Sequence, residues 1–482
     1  MISTLLRIQQ GIITALLALM VIAADAQVDR FRDITSWPLG ITPDSLMATG
    51  LPLVLITTVD GEEPTCDYVT APEGCLGESI ANASKVPGRA VVVVRGDTLF
   101  DSGDYVKGES GMTIRIRGNS SAWSIKHPFK IKLQQKGDML HRGDPRFDDR
   151  DWVLLYEAEY SLYNLLARTV CKMARMEWVP EGEYVNVVVN GDFRGLYFLS
   201  ESVDRNPQCR IDVDKRSGYI VELDPYWWNE DVWFGTMLTH DSPYTRYTFK
   251  YPNSDDVTDE QIAYISGEIS AVEASLMDST YTNHIDVESF VTWVLVHDIL
   301  GTWDEAGSNT FLMKHDSTPE SKVRMGPPWD FDTILRMEGE WSRLHYSMLL
   351  PWTWHDDRDG TFTRRYFKRL EDVRGWLFDA VISWAEGLAR SKLAEALDKS
   401  RAWDSPRWDI PFEPVEGNVA TITNWFSARK LWARETVGIS EVNAGNTANR
   451  RPSATYGLSG RKENCQGKGI YIRDGKKFIV RQ

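Results

Sequence analysis

Residues 301–314 read GTWDEAGSNTFLMK and, after a polar turn, residues 323–335 read VRMGPPWDFDTIL. Asp304 precedes Asn309 with four residues between them, an apolar run follows, and a second apolar run returns to Asp330 and Asp332. This order brings three or four oxygen ligands to one end of a hairpin, and oxygen is the donor that hard cations such as Mg2+ take. Just upstream, Val287, Phe290, Val291, Trp293, Val294, Leu295, Val296, Ile299 and Leu300 make a helix apolar on most sides, with Asp286 placed to cap it. That helix belongs in the core. On spacing alone the Asp304 to Asn309 signal is weak, because both residue types are abundant in turns, where they bond locally.

Outward from this segment the pattern separates strands from helices. Residues 51–58 (LPLVLITT) and 90–95 (AVVVVR) are short β-branched runs. From 113 onward Ile114 and Ile116 alternate with Arg115 and Arg117, and beyond a GNSSAW turn Phe129, Ile131 and Leu133 alternate with Lys130 and Lys132. Two cationic strand faces are therefore close in sequence. Asn190-Gly191 between apolar runs predicts a hairpin over 184–201. Helices are expected from Ser161 to Met176, over 258–277 with Thr258 and Gln261 as a capping box, and from about Trp376 to Leu397. Strands before 224 and helices after 258 predict an α+β fold.

The chain has 482 residues and 19 tryptophans, with 42% apolar and 26% charged residues, so it is rich enough in aromatics to fold around a large core. Lys+Arg 54 against Asp+Glu 69 leaves a net charge of −15, which argues against a nucleic-acid partner. A local basic cleft for a small anion is compatible with that balance. Arg7, the apolar stretch from Gly11 to Ala24 and Ala24-Asp25-Ala26 resemble a cleaved export signal over 1–26. The apolar stretch is shorter than the ~20 residues that cross a bilayer, and no later segment predicts a membrane span. The expected location is secreted or at the cell surface. Of the five cysteines, Cys66 and Cys75 are the expected disulfide, Cys171 is expected as a buried thiol, and Cys209 and Cys465 are unassigned.

Protein kinases use the order Asp, Asn five positions on, hairpin, Asp: the first orients the attacking hydroxyl, and the other two hold the metal on the phosphates. More of the chain supports that comparison. RIRGNSSAWSIKHPFKIKL, DWVLLYEAEYSLYNLLAR, VNVVVNGDFRGLYFLSESVD, GYIVELD, FKYP and PPWDFD, taken in this order over roughly 110 to 340, resemble the CotH family of atypical secreted protein kinases. The resemblance implies a kinase-like two-lobed fold, with a β-rich N-terminal part supplying a lysine and a helical C-terminal part supplying Asp304 and Asn309. It implies ATP and Mg2+ (or Mn2+) as cofactors, and transfer of the γ-phosphoryl group to Ser or Thr of exported or cell-surface proteins. Carried over, Asp304 is the catalytic aspartate, and Asn309 with Asp330 or Asp332 the metal ligands, Asp330 first. Lys132 is the best fit for the phosphate lysine, with Lys130 and Lys126 as alternatives. Glu201 and Glu222 are candidates to pair with that lysine or border the adenine, against a plainer reading as surface ion pairs. Glu159 and Tyr163-Asn164 stand where the family has Asp and Arg-Asn, and His127 replaces a frequently basic position.

The division expected from these features is a signal over 1–26, a β-rich region over 27–108, a CotH kinase-like domain over 109–440, and a linker with a β-patterned tail over 441–482. The tail resembles C-terminal sorting tails of secreted Bacteroidetes-type proteins. Two other function classes remain open at this point. Abundant Trp, including Trp341, Trp352 and Trp354, suits a glycan-binding or glycan-processing protein, and an inactive kinase-like surface scaffold is the third reading. Zinc-hydrolase, serine-hydrolase and Walker-type motifs are absent from the sequence.

Overall fold

A computed structural model describes residues 41–157, 159–302, 309–336 and 360–445, and three strands within 455–480. Helix α1 (Pro43–Met47) leads into β1 (Leu53–Thr58), β2 (Asp67–Thr70), β3 (Glu78–Ala81), β4 (Val86–Val94), β5 (Asp97–Asp101), β6 (Met112–Ile116), β7 (Phe129–Gly137) and β8 (Asp149–Leu155). After α2 (Tyr163–Met173) come β9 (Gly182–Val189) and β10 (Asp192–Glu201), joined at Asn190-Gly191 with positive φ at both residues (52° and 80°), the two-residue turn expected there. The strands run in the order β1-β9-β10-β8-β7-β6-β4-β5, and β1 also pairs with β4. The first seven therefore close into a barrel, leaving β5 outside. Strands from both sides of residue 108 share this barrel.

Alternation along the strands fills the barrel. Ile114, Ile116, Phe129, Ile131, Leu133, Trp152 and Leu154 join Val185, Val187 and Leu199 in one buried cluster. The intervening Arg115, Arg117, Lys130 and Lys132 are therefore on the outer surface, because successive side chains of a strand point to opposite faces.

A second sheet follows: β11 (Tyr219–Asp224), β12 (Trp233–Phe234), β13 (Arg246–Tyr251), then helices α3 (Asp259–Asp278) and α4 (Val287–Leu300), then β14 (Thr310–Lys314) and β15 (Val323–Met325). Its order is β12-β13-β11-β14-β15. Thr258 and Gln261 form the expected capping box on α3, and Asp286 caps α4 through the Glu288 and Ser289 amides. One face of this sheet, with Val221, Leu223 and Tyr247, packs in the main core with α2, α3, α4 and Phe198 of the barrel's outer surface. The helical zone is longer than its sequence pattern suggests: α5 (Thr361–Arg374), α6 (Leu377–Ala389), α7 (Lys392–Trp408) and α8 (Val415–Gly445). Pro406 lies in the last turn of α7 and Pro414 immediately precedes α8, so these prolines mark helix ends rather than the end of helical structure. Residues 441–445, expected in a linker, belong to α8.

The tail contributes β16 (Thr455–Gly457), β17 (Gly469–Arg473) and β18 (Lys476–Val480) as a three-stranded sheet. Cys66 and Cys75 are both free, against the expected bridge. The reason is register: Asp67 pairs with Ala81 and Thr70 with Glu78, which puts Cys66 and Cys75 at opposite ends of one short hairpin. Cys171 is the buried thiol expected. Among the described residues no helix is long and apolar enough to cross a membrane.

Candidate active site

The polar face of the second sheet is built by register. Glu222 pairs with Thr248 and Asp224 with Arg246 across β11 and β13, and cross-strand partners share a face. On the other side Leu223 pairs with Thr310, so the next residue out, Asn309, falls beside Asp224. Lys250 closes the row with a 2.8 Å ion pair to Glu222. Burial pushes the Glu222 carboxyl up to about 7; Lys250 pulls it down, while Asp224 and Glu230 add like charge. Lys250 shifts up because Glu222, Asp224 and Glu230 together outweigh the cost of its burial. One ammonium thus answers three carboxylates.

The barrel brings cations to the same place. Arg117 lies within electrostatic reach of Asp330 and Glu222, and Arg115 acts on Glu230. Arg117 sits 5.9 Å from the Trp329 ring centroid. Burial lowers its pKa, and it makes no direct ion pair among the described residues. A half-sequestered guanidinium without a carboxylate contact is costly unless an anion visits it.

The carboxylates after β15 lie in a turn segment. Residues 330–335 do not form a strand, and Asp330 has φ 55°, a conformation that Asp tolerates better than most residues. A regular strand would also put Asp330 and Asp332, two residues apart, on one face. Here both act on the Tyr156 hydroxyl, whose pKa burial raises first and these two carboxylates raise further. Phe331 between them is buried, stacked at 6.1 Å and 23° on His297 of α4. Gly301, in the left-handed conformation, ends α4, and the chain on both sides of the hairpin is tied there. Thr302 donates its amide to His297 O (3.2 Å), and Leu335 donates to Leu300 O (2.8 Å). The His297 ring meets the Thr302 hydroxyl at 2.7 Å. The end of α4 thus fixes where the chain leaves toward Asp304 and where the WDFD segment returns. Asp304 itself lies outside the described residues, as do Trp341, Trp352 and Trp354.

The family model for CotH kinase proteins matches residues 114–429. The chain belongs to the CotH kinase family. No curated protein matches it. Membership points to a kinase-like phosphotransferase that uses ATP and a divalent metal. Asp330 and Asp332, both within electrostatic reach of Tyr156, and Asn309, beside Asp224, carry oxygen donors of the kind such an ion takes.

Within this CotH kinase fold, the residues expected at the site divide. Asn309 falls beside Asp224 by register, Asp330 lies within electrostatic reach of Arg117, and Asp330 and Asp332 both act on Tyr156. Lys126 does not join them: its ammonium is fully buried, donating to Leu196 O (2.7 Å) and to Asp404 Oδ1 and Oδ2 (2.9 and 2.7 Å). Its three protons are spent. Glu201 is also fully buried, contrary to a surface ion pair; it accepts from Arg142 (2.8 Å) and from the Glu181 amide (2.9 Å). Lys130 pairs with Asp151 at 2.7 Å, and exposed Lys132 lies opposite the same aspartate. Both stand one strand further round the barrel than Arg115 and Arg117. His127, as a neutral ring lowered to about 4 by burial, donates from Nδ1 to Ala122 O. Where the family has Asp and Arg-Asn, Glu157 takes the structural part, accepting from the Leu162 and Asn164 amides and the Tyr184 hydroxyl. Glu159 meets Arg336, arriving from beyond the WDFD segment, at 3.5 Å.

The residues that sequence reasoning did not single out are Lys250, Glu230, Asp224, Tyr156 and Trp329. FKYP bears one charge and VELD two, so the sequence did not say which carboxylate Lys250 meets; the register of β11 and β13 decides it.

Asp149, Asp151 and Asp204 form a further acidic group, with oxygens within 4.8 Å of one another. Lys130 and Arg210 (3.5 Å from Asp149) answer it, and Asn206 donates to Asp149 at 2.7 Å, so it is already an ion-pair network. Burial first, then Asp151 and Asp149, raise Asp204 to about 6. Its raised pKa means that stability present below about pH 4 is lost as pH climbs through 6. Asp204→Asn should therefore stabilise the protein by about 1–2 kcal/mol above pH 6 and not below pH 4, checked by urea unfolding at both pH values.

Proposed function

We propose that this protein is an active secreted kinase that transfers the ATP γ-phosphoryl group to Ser or Thr of exported or cell-surface proteins. The barrel and the helix-backed second sheet serve as its two lobes. The observation that carries this reading is Arg117, a half-buried guanidinium with no carboxylate in direct contact among the described residues, within electrostatic reach of Asp330. It calls for an anion at the place where the metal aspartates stand. Arg115, Arg117 and Lys250 hold the phosphates, with Glu222 orienting Lys250. Asn309, Asp330 and Asp332 would hold Mg2+ or Mn2+, which when bound neutralises the phosphate charge that develops during transfer. Asp304 orients the acceptor hydroxyl, and water exclusion by Trp329 and Tyr156 strengthens each of these contacts. Lys132 and Lys130 then act only through the field of the barrel surface.

The test is a thermal-shift titration with ATP, with and without Mg2+. At about 100 times Kd a bound nucleotide adds ~2.7 kcal/mol, a rise of several degrees for a chain of this size. The shift should require the metal and should largely vanish in Arg117→Gln. A shift without metal, no shift at all, or a shift with soluble oligosaccharides instead would sink the kinase reading and favour a glycan-binding protein or an inactive scaffold.

Delivery is proposed to use residues 1–26 as the export signal and the tail sheet as a surface-sorting element. Truncation after Gly445 should leave phosphoryl transfer intact in vitro and keep the protein off the cell surface. Loss of soluble expression on truncation would instead mean that the tail supports the fold.

A further inference from the structure

On the reading that the cleft transfers a phosphoryl group, we propose that Arg246, seated on the Trp227–Trp233 pair, docks an acidic side chain of the acceptor protein. The two indoles meet edge to face at 4.7 Å and 69°, and the Arg246 guanidinium carbon lies 4.4 Å from each ring centroid. Its Nε is buried with no acceptor, and it makes no ion pair among the described residues. The obvious partner has been diverted. Asp224, directly across the ladder from Arg246, accepts instead from the Tyr226 amide (2.7 Å) and the Thr248 hydroxyl (3.0 Å). Glu222 and Glu230 act on Lys250, and Glu230 also feels Arg115. Arg246 is therefore a cation held in place by stacking and left without its counter-charge, the form in which a guanidinium fork recognises a carboxylate.

The surroundings favour a polypeptide as the ligand. Trp233, Met237, Leu238 and Tyr244 expose 39%, 44%, 37% and 51% of their surface within twelve residues of chain. Large apolar and aromatic groups around an Arg anchor are the composition of protein-binding hot spots. The ledge is continuous with the proposed phosphate site. Arg246 and Lys250 lie four residues apart on β13, about 13 Å at the rise of a strand, so an extended acceptor could place an acidic residue here while its hydroxyl reaches the cleft.

The test uses the full chain and fluorescein-labelled 12-residue peptides with a central Ser flanked by Glu, Gln or Lys, read by anisotropy without nucleotide. Wild type should bind the Glu peptide roughly 10–100-fold more tightly than the Lys peptide, the scale of hydrogen bonds between charged groups. Arg246→Glu should reverse the order and Arg246→Lys retain part of it. The Mg·ATP thermal shift should be unchanged in both. Equal binding of the three peptides by wild type, or an order that survives Arg246→Glu, overturns the proposal. Loss of the Mg·ATP shift in Arg246→Glu also overturns it, by giving Arg246 to the nucleotide. A wild-type protein with no Mg·ATP shift would instead count against phosphoryl transfer, and the peptide arm would still read out the docking site.

Discussion

Asp304→Asn is expected to lower phosphoryl transfer by roughly 10²–10⁴-fold, the usual contribution of a positioned general base, while leaving the Mg·ATP thermal shift nearly intact. An aspartate that orients the acceptor hydroxyl acts mainly in the transition state, so its loss appears in turnover and not in ground-state nucleotide affinity. Asp330→Asn should behave differently. Removing a carboxylate from the metal shell leaves phosphate charge poorly neutralised, so metal-dependent nucleotide affinity should fall by about tenfold or more as turnover falls. Asp332→Asn should follow Asp330→Asn, because both carboxylates lie within electrostatic reach of the same Tyr156 hydroxyl. Steady-state phosphorylation of a generic acceptor protein, paired with thermal shift, separates the two signatures. If Asp304→Asn and Asp330→Asn both keep wild-type activity, the site has been assigned to the wrong residues.

How much of this was legible in the sequence depends on the range of the interaction concerned. Local patterns carried well: the Thr258 and Gln261 box, the Asp286 cap and the Asn190-Gly191 turn all form as their spacing predicts, because each is decided within a few residues. The alternation of Ile114, Arg115, Ile116 and Arg117 correctly separated the inside of a sheet from its outside. Closure of that sheet through β1 and β4 was not legible, since nothing in either strand distinguishes a barrel partner from a sheet partner. Among the lysines of SIKHPFKIKL, composition could not rank Lys126 against Lys132. What decides is Asp404, some 278 residues away from Lys126, a contact with no periodicity to announce it. Lys250 escaped notice for the same reason, because its partner Glu222 is set by antiparallel register across a loop.

That distant contact supplies the other large effect. Asp404 on α7 accepts from Lys126 Nζ, from the Tyr160 hydroxyl (2.6 Å) and from the Leu196 amide (3.0 Å), all in the interior between the barrel and the helices. Gly195, at φ 107°, permits the approach: a Cβ there would lie 1.6 Å from Asp404 Oδ1. Asp404→Ala should leave the Lys126 ammonium buried without its counter-charge, and the loss of one partner of such a pair costs about 3–5 kcal/mol. Burial already pulls the Lys126 pKa below the ordinary lysine value, with Asp404 opposing that shift, so in Asp404→Ala the lysine should titrate lower still and stability should fall as pH drops. Lys126→Met should destabilise by a similar amount, because it strands the carboxylate. The double variant Lys126→Met with Asp404→Leu should recover much of the loss, since an apolar pair of similar volume removes both desolvation costs. Urea midpoints give the coupling energy directly. The nucleotide arm decides what kind of lysine this is: at temperatures where the double variant is folded, its Mg·ATP shift should equal that of wild type. A folded double variant without that shift would return Lys126 to the phosphates and take the clamp's role away from Asp404.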